Sequence, residues 1–111
     1  MARKAQLGEF EQLVLLAILR RGDEAFSLGV RRELEERAKR QVSRGAFYAT
    51  LDRLGAKGYV EWENVPPSES RGGLPQRRFR VTREGLRALR ASRNTLLELW
   101  QGLEAMLEGP Q

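Results

Sequence analysis

The 111-residue chain contains no cysteine and no histidine. Without cysteine there is neither a disulfide framework nor a thiolate nucleophile. Without histidine, the usual zinc sites, histidine acid–base catalysis and serine–histidine triads lose a required residue. The glycines after Arg71 do not form a phosphate-cradling loop, because the lysine spacing of a Walker motif and a following helix are both missing. We therefore expect no enzymatic activity, no cofactor and no metal.

Long apolar runs are also missing from this sequence. No stretch of about 18 apolar residues occurs, so we expect no transmembrane helix and no membrane partner. The first ten residues, MARKAQLGEF, lack the apolar core of a signal peptide. The expected location is therefore the cytoplasm.

Positive charge is in excess, and it is unevenly distributed along the chain. Residues 1–90 contain 19 Lys or Arg and 12 Asp or Glu, whereas residues 91–111 contain one Arg and three Glu. The net charge is thus +7 for the body and −2 for the tail, within a total of +5. A basic body favours nucleic acid as a partner, with an anionic membrane as the weaker alternative.

One stretch, Ser43–Gly58, predicts a short helix with two unlike faces. At about 100° per residue, its apolar side consists of Phe47, Leu51 and Leu54. Its opposite side is small or polar and consists of Gly45, Tyr48, Ala49 and Asp52. Ser43 is placed to cap the start of this helix, and Gly58 is placed to end it. Small and hydrogen-bonding residues suit close approach to a groove, so we interpret this stretch as a DNA recognition helix.

Two further helices are predicted before this stretch. Apolar residues recur at helical spacing over Gly8–Arg21, which glycine then ends at position 22. Ser27 is a candidate N-cap for a second helix over Leu28–Ala38. The basic segment Lys39–Val42 then forms the turn. This order of helix, short turn and capped helix is typical of a helix-turn-helix.

After Gly58 the hydrophobic period changes from 3.6 to 2. The alternation predicts strands over Tyr59–Val65 and Arg77–Thr82, separated by a segment rich in Pro, Gly and Ser. Such a hairpin after a helix-turn-helix is a wing. Its arginines are Arg71, Arg77, Arg78 and Arg80. They favour contact with phosphate or the minor groove, although a solvated hairpin with charged edges is the alternative.

From Arg83 to about Glu108 no proline intervenes, and we predict one long helix. Steps of three and four residues give a heptad-like seam of Leu86, Leu89, Arg93, Leu96, Trp100, Leu103 and Leu107. Such a helix outruns a small domain, and a second copy of the chain is the simplest cover for its far end. The predicted homodimer interface consists of Leu13, Leu16, Leu89, Leu96, Trp100, Leu103 and Leu107.

The ordered set of motifs resembles the PadR-like family of transcriptional regulators. The matching motifs are SRGAFY at 43–48, KGYV at 57–60, GG at 72–73, RRFRVT at 77–82 and EG at 84–85. The resemblance covers about residues 8–90. It implies a dimeric winged helix-turn-helix that is held by its C-terminal helix and acts mostly as a repressor.

The resemblance also implies roles for individual residues. Ser43, Arg44, Gly45 and Tyr48 would face the operator, while Arg71, Arg77 and Arg78 would belong to the wing. Some members of the family bind planar aromatic effectors at the dimer interface beside an aromatic residue of the last helix. Trp100 occupies a comparable place, although a tryptophan there is more often a buried core residue than a platform for a ligand.

We thus predict a mostly α (α+β) winged helix-turn-helix with a two-stranded wing and a long C-terminal dimerisation helix. The predicted division is a DNA-binding domain at 1–82 and a dimerisation helix at 83–111. The predicted DNA-binding residues are Ser43, Arg44, Gly45, Tyr48, Arg53, Arg71, Arg77 and Arg78. Tyr48 could instead be a satisfied surface tyrosine, and Arg53 could pair with Asp52 or a neighbouring helix. A protein–protein module without specific DNA binding is the alternative function.

Overall fold

The computed structural model describes residues 6–67 and 75–109. Within these ranges the chain forms α1 (Glu9–Arg21), α2 (Ser27–Glu36), α3 (Arg44–Ala56), β1 (Val60–Val65), β2 (Gln76–Val81), α4 (Arg83–Trp100) and α5 (Glu104–Glu108). A single 3₁₀ turn over Gly22–Glu24 follows α1. The predicted winged helix-turn-helix is confirmed, with α2 and α3 as the helix pair and β1–β2 as the two-stranded wing.

The start and the end of α1 follow from local chemistry. The Glu11 carboxylate accepts a hydrogen bond from the Gly8 backbone N–H at 2.8 Å, which satisfies one of the free donors at the helix start. At the other end Gly22 has φ +55, a left-handed conformation that suits glycine and ends the helix as predicted.

The predicted N-cap of α2 was wrong. The helix includes Ser27 as its first residue, with Phe26 in the cap position, and it ends at Glu36. The Ser27 hydroxyl accepts a hydrogen bond from the Tyr48 hydroxyl at 2.8 Å, so it makes a tertiary contact with α3. The following turn contains Lys39 at φ +56, the single described non-glycine residue with positive φ.

The two strands form an antiparallel hairpin in which Val60 pairs with Val81 and Trp62 pairs with Phe79. Strand β1 begins one residue later than predicted and β2 lies one residue earlier, which is the usual uncertainty of strand ends. A bridge between Phe26 and Arg78 joins the segment before α2 to the other edge of β2. The hairpin is therefore attached to the helical body by backbone pairing as well as by side chains.

The core is formed where the first three helices meet the inner face of the hairpin. Its fully buried larger side chains are Val14, Leu15, Ile18, Val30, Leu34, Phe47, Leu51, Leu54 and Phe79. The rings of Phe47 and Phe79 meet edge to face at 6.5 Å between centroids. This aromatic contact joins the centre of α3 to the centre of β2, and thereby fixes α3 against the wing.

The prediction of one helix from Arg83 to about Glu108 was wrong beyond Trp100. The chain leaves the helix at Gln101 (ψ +123), and Gly102 has φ +84. A glycine in the left-handed region just after a helix is a common terminator. The long C-terminal helix is thus α4 alone, about 27 Å at 1.5 Å per residue, and α5 is a separate short helix.

Only the first half of α4 packs on the body of its own chain. Gly85 and Leu89 are buried, whereas every described residue from Arg93 onward is exposed. The radius of gyration is 16.2 Å, compared with about 13 Å for a compact domain of this length. The second half of α4 and the whole of α5 therefore project from the globular part.

Candidate nucleic-acid interface

Both ends of α3 are held by specific backbone geometry. The Ser43 hydroxyl accepts a hydrogen bond from the Ala46 N–H at 3.1 Å, as its predicted N-cap role requires. At the other end Gly58 has φ +79 and donates to the Gly55 carbonyl, while Tyr59 donates to the Leu54 carbonyl at 2.9 Å. These two bonds form a Schellman motif, so α3 begins and ends firmly.

The sides of α3 differ sharply in burial. Its inner side is buried and consists of Phe47, Thr50, Leu51 and Leu54. Its outer side is exposed, and we call it the outer strip: Gly45, Ala49, Asp52 and Ala56. Three of the four members have at most a methyl group as side chain. A surface of this kind permits the helix axis to approach a partner closely.

The wing holds one flank of α3 through aromatic rings and a cation. The Arg77 guanidinium lies 6.0 Å from the centroid of the Tyr48 ring and 5.4 Å from that of the Trp62 ring. Both distances are in the range of cation–π attraction. Gly55 leaves room for Trp62, because a Cβ there would lie 3.2 Å from Cζ3 of the indole. Strand β1, strand β2 and α3 thus meet at Arg77.

Helix α1 holds the opposite flank through a buried carboxylate. Glu11 is only 6% exposed, and the Lys57 ammonium donates to both of its carboxylate oxygens at 2.8 Å. Burial by itself raises the pKa of Glu11. The hydrogen bonds from Lys57 and Gly8, and the charges of Lys57 and Arg53, outweigh burial and bring this pKa below its ordinary value. The carboxylate therefore stays ionised and ties the end of α3 to α1.

Arg53 lies between these inner contacts and the outer strip. Its Nη2 donates to the Thr50 hydroxyl at 3.0 Å, and its Nε is 3.9 Å from Glu11. Thr50 in turn donates to the Ala46 carbonyl at 2.9 Å. The sequence left open a pairing of Arg53 with Asp52 or with a neighbouring helix. The structure has the second arrangement.

The outer face of the wing carries cross-strand ion pairs. Arg78 pairs with Glu63, with its Nε donating over 2.9 Å, and Arg80 pairs with Glu61. Hydrogen bonding to Glu63, together with the charge of that carboxylate, raises the pKa of Arg78 above its ordinary value. Among the predicted wing arginines, Arg77 and Arg78 are on β2, and Arg71 lies outside the described residues.

Five of the predicted DNA-binding residues form two groups in space. Ser43, Arg44 and Gly45 are exposed together at the start of α3, and Arg44 has no ion-pair partner in the described part of the chain. Tyr48 and Arg77 are neighbours at the junction with the wing. Arg53 lies on the other flank of the helix. The first group and the junction both border the outer strip.

Sequence reasoning missed the residues that hold α3 in place. Ser27 was interpreted as a cap, and Trp62 was included only as part of the strand predicted over Tyr59–Val65. Glu11 carried a usable signal, since an acidic residue inside a strongly apolar helix calls for a buried partner. Its partner Lys57 is 46 residues away in the chain, and no local pattern connects the two.

The far half of α4 and α5 carry many exposed apolar side chains, which we call the apolar tail surface. Its members are Leu96, Leu97, Leu99, Trp100, Leu103, Met106 and Leu107. Leu16 and Leu19 of α1 are also exposed, at 46% and 42%. Of the predicted interface residues, Leu89 is buried within its own chain and Leu13 packs partly against the core. Large exposed apolar patches are typical of interaction surfaces.

Two grooves flank the helical body. One, of about 490 Å³, lies between the end of α1 and the wing and includes Leu19, Trp62 and Phe79. The other, of about 720 Å³, lies between the start of α1 and α4 and includes Leu7, Lys57 and Thr95. Trp100 lines neither groove. The described residues contain no group of three or more metal-ligating side chains and no helix long and apolar enough to cross a membrane.

Comparison with known proteins agrees with this geometry. The model of the transcriptional regulator PadR-like family matches residues 15–91. The fold is similar to that of a PadR-like transcription factor from Bacteroides fragilis, with 22% identity, a TM-score of 0.68 and coverage of 87% of this chain and 88% of that one. A PadR family regulator from Eggerthella lenta gives 24% identity, a TM-score of 0.65 and coverage of 92% and 88%. No match is found among curated proteins.

Proposed function

Because the chain belongs to the PadR-like family of transcriptional regulators, it is a DNA-binding regulator, and we propose that it acts as a sequence-specific homodimer. In this proposal the recognition helix, residues 43–58, enters the major groove, and the wing, residues 66–80, lies on the backbone or minor groove. The observation that carries the proposal is the outer strip of α3, small and exposed, between two flanks that fix the helix in place.

The proposed DNA-binding residues divide by chemistry. Arg44, Arg53, Arg71, Arg77 and Arg78 supply positive charge for phosphate oxygens, which position the protein without reading sequence. Ser43, Gly45 and Tyr48 lie where base edges or groove shape are read. Support comes from the exposure of Ser43, Arg44 and Gly45 at one end of α3. For Arg53 and Arg78, phosphate contact would require exchange of their present carboxylate partners.

We propose that the apolar tail surface forms the dimer interface with the partner's copy and with exposed residues of α1. The interface residues are Leu13, Leu16, Leu96, Trp100, Leu103 and Leu107, with Leu89 supporting them from inside the chain. Support comes from the exposure of Leu96, Leu103 and Leu107 at 50%, 43% and 68%. A two-fold dimer would place two copies of α3 about 34 Å apart, one turn of DNA, and would read a pseudo-palindrome.

The proposed regulatory outcome is repression, by occupancy of the operator. Release by a planar aromatic effector is the accompanying proposal, with Trp100 as its stacking platform at the dimer interface. Trp100 is 37% exposed in the single chain. A partly exposed indole beside a two-fold axis offers a flat apolar face to a ring, or to the partner's side chains.

Gel-shift titration of genomic fragments tests specific binding. We expect a small set of fragments to bind far more tightly than the rest at about 150 mM salt, and affinity to fall at least about tenfold between about 50 and 200 mM salt. Equal micromolar binding of every fragment would contradict sequence specificity. A flat salt response would contradict phosphate contacts by the arginines.

The role of Tyr48 requires a matched pair of variants, because its hydroxyl bonds to Ser27. Tyr48→Phe removes the hydroxyl altogether, whereas Ser27→Ala removes the same intramolecular bond and leaves the hydroxyl for DNA. If the hydroxyl binds DNA, only Tyr48→Phe should weaken specific binding, by about five- to tenfold. Equal losses in both variants would make Tyr48 a purely structural residue.

Light scattering tests the dimer, and fluorescence tests the effector. A stable homodimer that Leu103→Asp dissociates is the expected result, whereas a wild-type monomer would favour the protein–protein module. For the effector, a Trp62→Phe background leaves Trp100 as the single tryptophan, since the chain has two. Failure of every planar aromatic compound to quench Trp100 would remove the effector from the proposal.

A further inference from the structure

Asp52 is the one charged residue of the outer strip. Its neighbours on the strip, Ala49 and Ala56, carry only methyl groups, and Gly45 carries no side chain. None of these neighbours can form a hydrogen bond with a base edge through its side chain. Asp52 is exposed in the middle of this surface, two turns into α3. Whatever the strip faces therefore meets a single carboxylate.

Two cations on the flanks of the strip, Arg53 and Arg77, are engaged by the protein itself. Arg53 donates to Thr50 at 3.0 Å and lies 3.9 Å from Glu11. Arg77 lies between the rings of Tyr48 and Trp62. These contacts hold both guanidinium groups on the flanks of α3, away from its centre line.

The Asp52 side chain has no hydrogen bond or ion pair with any described residue, although Arg53 is adjacent in sequence. Its ionised oxygens are acceptors only. Beside phosphates such a group is repelled, so a favourable position on DNA requires a donor at the floor of the groove. The exocyclic amino groups of cytosine and adenine are the donors in the major groove.

We propose that Asp52 is a specificity-determining residue that accepts a hydrogen bond from the N4 amino group of cytosine in each half-site. Cytosine is preferred over adenine because the adenine amino group lies beside N7, a second acceptor that repels the carboxylate. Guanine presents O6 and N7, and thymine presents O4, so both are disfavoured at this position. The inference rests on the proposed function, since it assumes that α3 occupies the major groove.

The experiment is selection of bound fragments from a random duplex library by the purified full chain, followed by titration of single-site duplexes. Four proteins are compared: wild type, Asp52→Ala, Asp52→Asn and the charge-matched control Glu35→Gln. Glu35 is exposed on α2, and its substitution removes the same charge without touching the strip. Thermal unfolding confirms that each variant folds.

For wild type we expect a two-fold symmetric motif with one cytosine position per half-site, where any other base weakens binding by at least about fivefold. Asp52→Ala should reduce that difference to less than about twofold at this position alone. Asp52→Asn should shift the preference to adenine, which asparagine contacts through N6 and N7. Glu35→Gln should retain the cytosine preference, with at most a uniform gain in affinity.

The experiment distinguishes a failure of the proposed function from a failure of the inference about Asp52. A wild-type protein that enriches no motif would overturn the proposed function, and the inference with it. A wild-type motif that Asp52→Ala reproduces at every position would overturn the inference alone and leave specific DNA binding intact. A cytosine preference that Glu35→Gln also abolishes would equally overturn it, because the effect would then follow total charge.

Discussion

Gly85 lies where the wing, α3 and α4 meet, and we predict that Gly85→Ala strongly destabilises the protein. The residue is buried in the first turn of α4. A Cβ at this position would lie 2.3 Å from the Tyr59 carbonyl oxygen and 2.9 Å from Cγ1 of Val81. Both distances are far inside van der Waals contact. The nearer atom belongs to the backbone, so a change of rotamer cannot relieve the overlap.

Relief of this overlap would also disturb a hydrogen bond of the Tyr59 carbonyl. The Tyr59 carbonyl accepts from the Thr82 N–H at 3.0 Å, and the Thr82 hydroxyl caps α4 by accepting from the Gly85 N–H at 3.0 Å. The same hydroxyl donates to the Gly58 carbonyl at 2.6 Å. Moving the Tyr59 carbonyl by about 1 Å, as a normal contact distance requires, would disturb the connection between the end of α3 and the start of α4.

The expected change in the free energy of unfolding for Gly85→Ala is the balance of opposing effects. Overpacking costs about 1–3 kcal/mol, and a disturbed buried hydrogen bond costs about 1 kcal/mol more. Alanine regains at most about 1 kcal/mol through helix propensity and a less flexible unfolded chain. The expected net loss in the free energy of unfolding is about 2 kcal/mol, which lowers Tm by about 9 °C for a chain of this size.

Thermal unfolding at one fixed protein concentration measures the effect, since the proposed dimerisation would make Tm concentration-dependent. Gly45→Ala is the matched control, because Gly45 is also in the first turn of a helix but a Cβ added there would have nothing within 4 Å. We expect that control to retain or slightly raise Tm. If Gly85→Ala unfolds at or above the wild-type Tm, the close packing of α4 on Tyr59 is wrong.

Four further predictions follow from the flanks of α3, the turn and the tail. The pKa of Glu11 is lowered on folding, so its contribution to stability is present above its ordinary pKa and is lost as pH falls through the folded value. Glu11→Gln should therefore lower the free energy of unfolding by about 2 kcal/mol at pH 7. Denaturant titrations below about pH 4 should show a smaller difference in stability between wild type and the variant. A difference that does not change with pH would contradict the ion pair. Trp62→Ala should weaken specific DNA binding about five- to tenfold, because it removes the ring that holds Arg77. Gel shifts of Trp62→Phe should show near wild-type affinity, because an aromatic ring is retained. Equal losses of affinity in the two variants would contradict the role of the ring in positioning Arg77. Lys39→Gly should raise Tm, because glycine adopts the φ of +56 without the cost of about 1 kcal/mol that a side chain adds; a lower Tm would contradict that conformation. Leu103→Asp should convert the dimer to monomer in sedimentation and leave the far-ultraviolet circular dichroism almost unchanged, and a persistent dimer would exclude the apolar tail surface from the interface.

The fold could be predicted largely from local patterns. Periods of 3.6 and 2 indicated the helices and the wing, because side chains on one face of an element must be buried together. The boundaries of α3 were also local, since Ser43 and Gly58 act through backbone groups within a few residues. The absence of proline after Arg83 was a less reliable indicator of how far the last helix extends. Gly102 was the relevant signal there, and its left-handed φ ends α4.

The candidate interface required the tertiary structure, because its contacts join residues far apart in the chain. The sequence by itself determined that α3 would have an apolar side and a small, polar side. Only the packed chain decided which polar residues hold the helix and which remain available. Folding pairs Glu11 with Lys57 across 46 positions and Tyr48 with Ser27 across 21. These pairings depend on how helices and strands pack in three dimensions, and they leave Asp52 as the one charged side chain at the centre of the exposed strip.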